Sequence, residues 1–167
     1  MIFATGAHFG QFRKYTGDKY ISHPAEVAGL IAAVGGTTVM QAASWLHDTI
    51  EDCDVTLQEI INRFGYDVGG VVSRLTEPPK EPYGGNRAKR KEDSRIRLAS
   101  GGWVSQTVKL ADVVSNTRNI VKQDHKFAAV YLPEQHALLQ VLTKGDRVLW
   151  HMAMKQITDG LLELNLA

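Results

Sequence analysis

A chain of 167 residues with a formal charge of +1, 44% hydrophobic and 22% charged, has the balance of an ordinary globular domain. Near-neutrality excludes a global field that would recruit nucleic acid or a membrane surface, so any anion site must be local. Cys53 is the one cysteine, which rules out an internal disulfide. The opening MIFATGAHFG lacks a basic, apolar leader and no run approaches a membrane span, so the expectation is one cytoplasmic domain over residues 1–167.

The apolar spacing is helical from end to end, without a convincing strand alternation, which predicts an all-α helical bundle. A first helix is expected over Phe3 to Lys14, followed by a turn through Thr16-Gly17-Asp18. Pro24 suits the first position of a second helix, whose stripe is Val27, Leu30, Ile31 and Val34 and whose stop is Gly35-Gly36. Thr37 or Thr38 caps a third, with Val39, Ala42, Ala43, Leu46 and Ile50 facing inward. Thr56 and Glu59 form a capping box for a fourth that ends at Gly65, and Val68 to Leu75 makes one more short helix.

Glu77 to Asn86 carries three prolines and two glycines and reads as a loop. A charged helix follows over Arg87 to Leu98, then a long one over Val104 to Val121. Phe127 to Leu142 is expected as a helix that Pro133 divides, and Asp146 caps the last, Val148 to Leu164.

Three places along this frame carry chemistry. The third helix contains His47-Asp48-Thr49-Ile50-Glu51-Asp52, and one helical turn sets His47 over Glu51 and Asp48 over Asp52. Crowded carboxylates beside an apolar stripe repel one another and resist burial, and a divalent cation would relieve both costs. A solvated acidic helix end is the plainer alternative. His23, in Tyr20-Ile21-Ser22-His23-Pro24, stands before a helix and is either a fixed ligand or a simple entry residue. In Lys109-Leu110-Ala111-Asp112, continuing to Arg118, the residues Asp112, Asn116 and Asn119 form a polar stripe that is either a site or the wet side of a helix.

Together, Ala7-His8, Gly10-Gln11, Arg13-Lys14, Tyr20 to Pro24, His47-Asp48 with Glu51-Asp52, and Lys109 to Arg118 follow an ordered pattern over about residues 7 to 121. The pattern resembles the HD superfamily of metal-dependent phosphohydrolases. The match is closer still to the hydrolase half of RelA/SpoT-type enzymes and to small alarmone hydrolases. The resemblance implies that His23, His47, Asp48 and Asp112 hold the metal. Two imidazoles and two carboxylates suit Mn²⁺, Fe²⁺ or Zn²⁺ better than Ca²⁺, and among these the resemblance to alarmone hydrolases implies Mn²⁺ as the cofactor. It implies that Glu51 and Asp52 activate water, and that Arg13, Lys14 and Asn116 contact substrate. His8 is expected to be structural, and His125, His136 and His151 to lie on the surface or in packing.

The implied reaction is hydrolysis of guanosine 3′,5′-bis(diphosphate), or the pentaphosphate, to GDP or GTP and pyrophosphate. The implied partner is a small nucleotide rather than duplex DNA, RNA or a membrane, with oligomerisation left open. Two departures stand out. The turn Tyr15 to Tyr20 replaces the usual SG-x-PY, and the basic stretch Arg87, Lys89, Arg90, Lys91 and Arg95 matches the family only loosely. That stretch meets distal phosphates or is a solvated face. An HD-fold phosphatase acting on another nucleotide and a silent nucleotide sensor are the alternatives.

Overall fold

The computed structural model describes residues 1–77 and 86–166. Eleven helices are seen among them, with no strand and one isolated antiparallel bridge, Phe12 to Lys19. The expected all-α class is what the chain adopts. Most of the expected 77–86 loop, residues 78–85, lies outside the described residues.

Helix α1 (Ile2–Ala7) is shorter than its apolar pattern predicts. Gly10 takes φ +80°, a left-handed conformation that ends helical progress, and Arg13 N–H then bonds Asp18 O while Tyr20 N–H bonds Gln11 O. Arg13 and Lys14 thus lie in an extended turn, not at a helix end. Helix α2 (Ser22–Ala33) starts two residues before Pro24, which puts His23 inside its first turn.

The third helix also breaks early. α3 (Thr38–Leu46) is capped as expected by the Thr37 hydroxyl on Met40 N–H, but it stops before His47. The Thr49 hydroxyl takes the Leu46 carbonyl at 2.7 Å, Asp48 adopts φ −98° and ψ −5°, and a separate turn, α4 (Thr49–Asp52), follows. A side chain that competes for a helix carbonyl promotes this kind of break. The expected unbroken helix is thus divided at the His-Asp pair, but Asp52 N–H still bonds Asp48 O at 2.9 Å, so Asp48 and Asp52 remain one turn apart as expected.

Thr56 accepts Glu59 N–H to cap α5 (Leu57–Phe64), and Gly65 at φ +88° separates it from α6 (Tyr66–Leu75). α7 (Arg87–Ala99) carries the basic stretch. The expected helix to Val121 is divided into α8 (Trp103–Thr117) and α9 (Ile120–Gln123), because the Thr117 hydroxyl bonds Val113 O at 2.8 Å and bends the end. α10 (His125–Leu139) runs unbroken past Pro133, which lies on its exposed face where water can satisfy the carbonyl that proline frees. Asp146 caps α11 (Arg147–Glu163) by accepting Leu149 N–H at 3.0 Å.

α8 is buried almost all round, its polar Ser105, Gln106, Thr107, Asp112, Ser115 and Thr117 included, and is therefore the helix the others surround. It packs on α2, α3, α6, α10 and α11. Its Gln106 is fully buried, and its amide donates to Leu98 O at 2.9 Å and accepts Lys144 N–H at 2.7 Å. This satisfied amide ties α8 to the end of α7 and to the segment before α11.

Candidate metal centre and its cavity

α2, the α3–α4 break and α8 converge on one point. His23 and His47 are 2% and 3% exposed, and their Nε2 atoms are 3.2 Å apart. Asp112 Oδ1 lies 3.2 Å from His23 Nε2 and 3.6 Å from His47 Nε2. Asp48 Oδ2 lies 3.2 Å from His47 Nε2 and 3.5 Å from His23 Nε2. The donor atoms of His23, His47 and Asp112 all lie within 4.8 Å of one another, a group able to hold a metal ion, and Asp48 joins it from the side of the cavity.

The donor set fits a cation. His47 Nδ1 is 2.8 Å from the Ser44 carbonyl, which only accepts, so Nδ1 carries the proton. In a neutral His47 the Nε2 lone pair then faces a second imidazole nitrogen and two carboxylate oxygens, an arrangement that positive charge must compensate. Without a metal, a proton takes that part. Burial pulls the His47 imidazolium down, but Asp48 and Asp112 together outweigh it and hold its pKa well above 6.5. Burial pushes the Asp48 carboxyl up, and the His47 charge beside it still holds it down at about 2. Burial also opposes ionisation of Asp112, yet Lys109 and the two histidines keep its carboxyl well below the ordinary range.

The next layer orients these groups. Lys109 Nζ is 2.7 Å from Asp112 Oδ2, and Asn116 Nδ2 donates to Asp112 Oδ1 at 2.6 Å. Burial would lower the Lys109 ammonium pKa, but Asp112 raises it by more. Tyr20 Oη reaches Asp48 Oδ2 at 2.6 Å and Asp52 Oδ2 at 3.0 Å, linking the cluster to the second acidic residue.

His47, Asp48 and Asp112 of the cluster line a cavity of about 240 Å³. Glu51 stands at its solvent-accessible edge and takes the Glu77 backbone N–H. The surrounding protein pushes the Glu51 carboxyl up to about 7 against the pull of that N–H and of Lys109. Asp52 is raised in the same direction, by burial first and the nearby Asp48 charge second. Lys91 and Arg95 of α7 line the same cavity, Lys91 paired with Glu77 and Arg95 with Glu92. Arg87 forks onto Glu134 at 2.7 and 2.8 Å and ties α7 to α10.

Of the residues expected from sequence, His23, His47, Asp48, Glu51, Asp52, Asp112 and Asn116 are gathered in this one region. Arg13 lines a separate cavity of about 170 Å³ behind Ser115, with Arg118 and Asn119. Lys14 points away, to Asp124 at 3.4 Å and Tyr15 at 3.1 Å. His8 is buried against Tyr20 and Gln11, and His125, His136 and His151 are exposed, as expected. Tyr20 was legible only as part of a motif. Lys91 and Arg95 were legible only as members of the basic stretch, and the sequence did not distinguish them from Arg87, Lys89 and Arg90.

An HD-domain family model matches residues 1–133 of this chain. The chain belongs to the HD-domain family. This HD protein is 36% identical over 120 residues to a probable guanosine-3′,5′-bis(diphosphate) 3′-pyrophosphohydrolase of Synechocystis, covering 71% of the chain and 16% of that relative. It is 37% identical over 107 residues to the Xenopus tropicalis guanosine-3′,5′-bis(diphosphate) 3′-pyrophosphohydrolase, covering 60% of the chain and 55% of that relative. The HD protein thus spans only part of the length of these curated relatives. A metazoan ortholog of SpoT that hydrolyses ppGpp has the same fold, with a TM-score of 0.83 over 99% of this chain and 93% of its own, at 20% identity. No helix among the described residues is long and apolar enough to cross a membrane.

Proposed function

We propose that this HD protein, as a single domain, hydrolyses guanosine 3′,5′-bis(diphosphate) or the pentaphosphate in the cytoplasm, releasing pyrophosphate from the 3′ position. The observation that carries the reading is the four-donor cluster whose His47, Asp48 and Asp112 line a cavity that Glu51, Lys91 and Arg95 line too. The likeness to relatives named as 3′-pyrophosphohydrolases supports the substrate.

His23, His47, Asp48 and Asp112 would hold a divalent transition metal, with Mn²⁺ as the proposed ion. Such an ion, when bound, polarises a phosphorus centre and lowers the pKa of coordinated water. Glu51, with its carboxyl near 7, accepts a proton from the attacking water and can return it to the departing ribose oxygen. Water adds across the 3′ O–P bond, so the ribose keeps its oxygen and the pyrophosphate leaves with the new one. Asp52, held by Tyr20, keeps the water oriented. Lys109 neutralises the outer oxygen of Asp112, and Asn116 fixes the inner one. Arg13 would stack on the base or fork onto a phosphate only where substrate reaches the separate cavity it lines, and Lys14 would reach substrate only by leaving Asp124.

The test is incubation of the purified protein with Mn²⁺ and a panel of nucleotides, with the products identified. GDP and intact pyrophosphate from guanosine tetraphosphate are expected. Release of orthophosphate alone would assign a phosphatase instead, and binding without turnover a sensor.

A further inference from the structure

We propose that Glu26, acting through Ser115, sets the tautomer of His23 and so governs how tightly the cluster takes a metal; this rests on the reading of His23 as a ligand. Glu26 sits one turn beyond His23 on α2, and Ser115 one turn beyond Asp112 on α8. Packing of α2 on α8 brings the three side chains into line. Ser115 Oγ is 2.7 Å from Glu26 Oε2 and 2.9 Å from His23 Nδ1.

A hydroxyl has one proton, and a carboxylate accepts but does not donate. The Ser115 proton therefore points at Glu26, and the Ser115 oxygen is left to accept from His23. That places the imidazole proton on Nδ1 and leaves the Nε2 lone pair facing Asp112 Oδ1 and His47 Nε2. With the opposite tautomer, Nε2–H would donate to Asp112 Oδ1 and the ring would offer no lone pair to a metal. His47 needs no such device, because a backbone carbonyl fixes it.

The outer end of the relay is anchored. Glu26 Oε1 is cut off from solvent and lies 2.8 Å from Arg118 Nη1. The guanidinium, a permanent cation, lies against Oε1 and leaves Oε2 to Ser115. In Glu26→Gln the amide oxygen would stay with Arg118 and the NH₂ would face Ser115. The Ser115 proton would then turn toward His23 Nδ1, and the tautomer would invert with almost no change in shape.

The experiment combines Mn²⁺ titration with ¹⁵N-histidine NMR of the metal-free protein. The variants are Glu26→Gln, Ser115→Ala, Ser115→Thr and His23→Ala. Loss of an outer partner of a ligating histidine typically weakens metal binding about 10–100-fold. Glu26→Gln and Ser115→Ala are expected to bind Mn²⁺ more weakly by that factor. The His23 signals should move from the Nδ1–H to the Nε2–H pattern. Ser115→Thr keeps the hydroxyl and should rescue both readouts. If Ser115→Ala does not fold, Glu26→Gln carries the test alone. Wild-type affinity or an unchanged His23 pattern in Glu26→Gln overturns the proposal while His23→Ala still loses metal. Wild-type affinity in His23→Ala overturns the ligand reading and this proposal with it.

Discussion

His23 and His47 face each other through their Nε2 atoms at 3.2 Å, with a carboxylate oxygen on either side. Such a geometry holds together only around positive charge, supplied by a metal or a proton. In metal-free protein His47 titrates above its ordinary 6.5, so its stabilisation is fully present below pH 6.5 and is lost as pH rises through the raised value. Asp48 and Asp112 titrate below 3.8, so theirs is present above pH 3.8 and is lost as pH falls, through about 2 for Asp48. Metal-free protein should therefore be most stable between about pH 4 and 6.5. Mn²⁺ should raise the melting temperature most at pH 8, with about 2.7 kcal/mol gained at a hundredfold excess over Kd. Thermal melts with and without chelator across this range check it; an equal melting temperature at pH 8 would disprove the metal centre.

Glu51 should impose opposite signs on activity and stability. As a base it works ionised, so turnover should fall as pH drops below about 7. Its pKa is raised above the ordinary 4.5, so its contribution to stability is present below 4.5 and lost as pH rises through about 7. Glu51→Gln keeps the acceptor for Glu77 N–H but removes the base. Turnover should fall about 10²–10⁴-fold with metal content unchanged. Asp52→Asn should lower turnover in the same way, whereas Asp48→Asn should lose metal as well. Metal stoichiometry and rates measured on the same preparations separate these outcomes, and wild-type rates in both Glu51→Gln and Asp52→Asn would remove the pair from the mechanism.

Lys109 and Asp112 form a largely buried pair, 2.7 Å apart with side chains 20% and 9% exposed. Removing one partner of such a pair typically costs about 3–5 kcal/mol, because the other charge stays buried. Lys109→Met is expected to destabilise the metal-free protein by that order and to recover part of the loss when Mn²⁺ is added. Denaturant melts in the two states measure both effects. A loss that Mn²⁺ does not reduce would mean that Asp112 is not shared between lysine and metal.

Arg13 and Lys14 are neighbours in sequence that should behave differently. Arg13→Lys gives up a planar fork and is expected to weaken substrate binding by about 1–3 kcal/mol. Lys14→Ala removes an exposed contact to Asp124, of a kind worth about 0–1 kcal/mol. KM values for the two variants decide the matter; an unchanged KM in Arg13→Lys would leave Arg13 to the separate cavity it lines, and equal KM increases would bring Lys14 to the substrate as well.

The local backbone accompanies this divergence: Arg13 directly follows the Phe12 to Lys19 bridge, whereas Lys14 enters the turn that Gly17 N–H closes on Arg13 O at 3.0 Å. A helix through Lys14 was expected because the apolar spacing alone does not register a left-handed glycine in its path. The helix break at His47-Asp48 was equally hidden. Its cause is one hydroxyl taking one carbonyl, and Ala42, Ala43, Leu46 and Ile50 continue the helical spacing straight through it.

Local chemistry determined what could be read directly. Thr37, Thr56 and Asp146 cap the helices they precede because each offers an oxygen to an N–H three residues on. The all-α class follows from apolar periodicity, and the ordered His, His-Asp and Asp motifs mark the donors by residue type. Only the tertiary structure decided that these donors meet. His23 is 24 residues from His47 and 92 from Ser115 along the chain, and packing of α2 and α3 on α8 brings all three within hydrogen-bonding distance. The same packing decided that Lys91 and Arg95 turn into the cavity while Arg13 lines another. Spacing within a helix specifies a face, but which neighbour that face meets depends on how all the apolar faces are buried together.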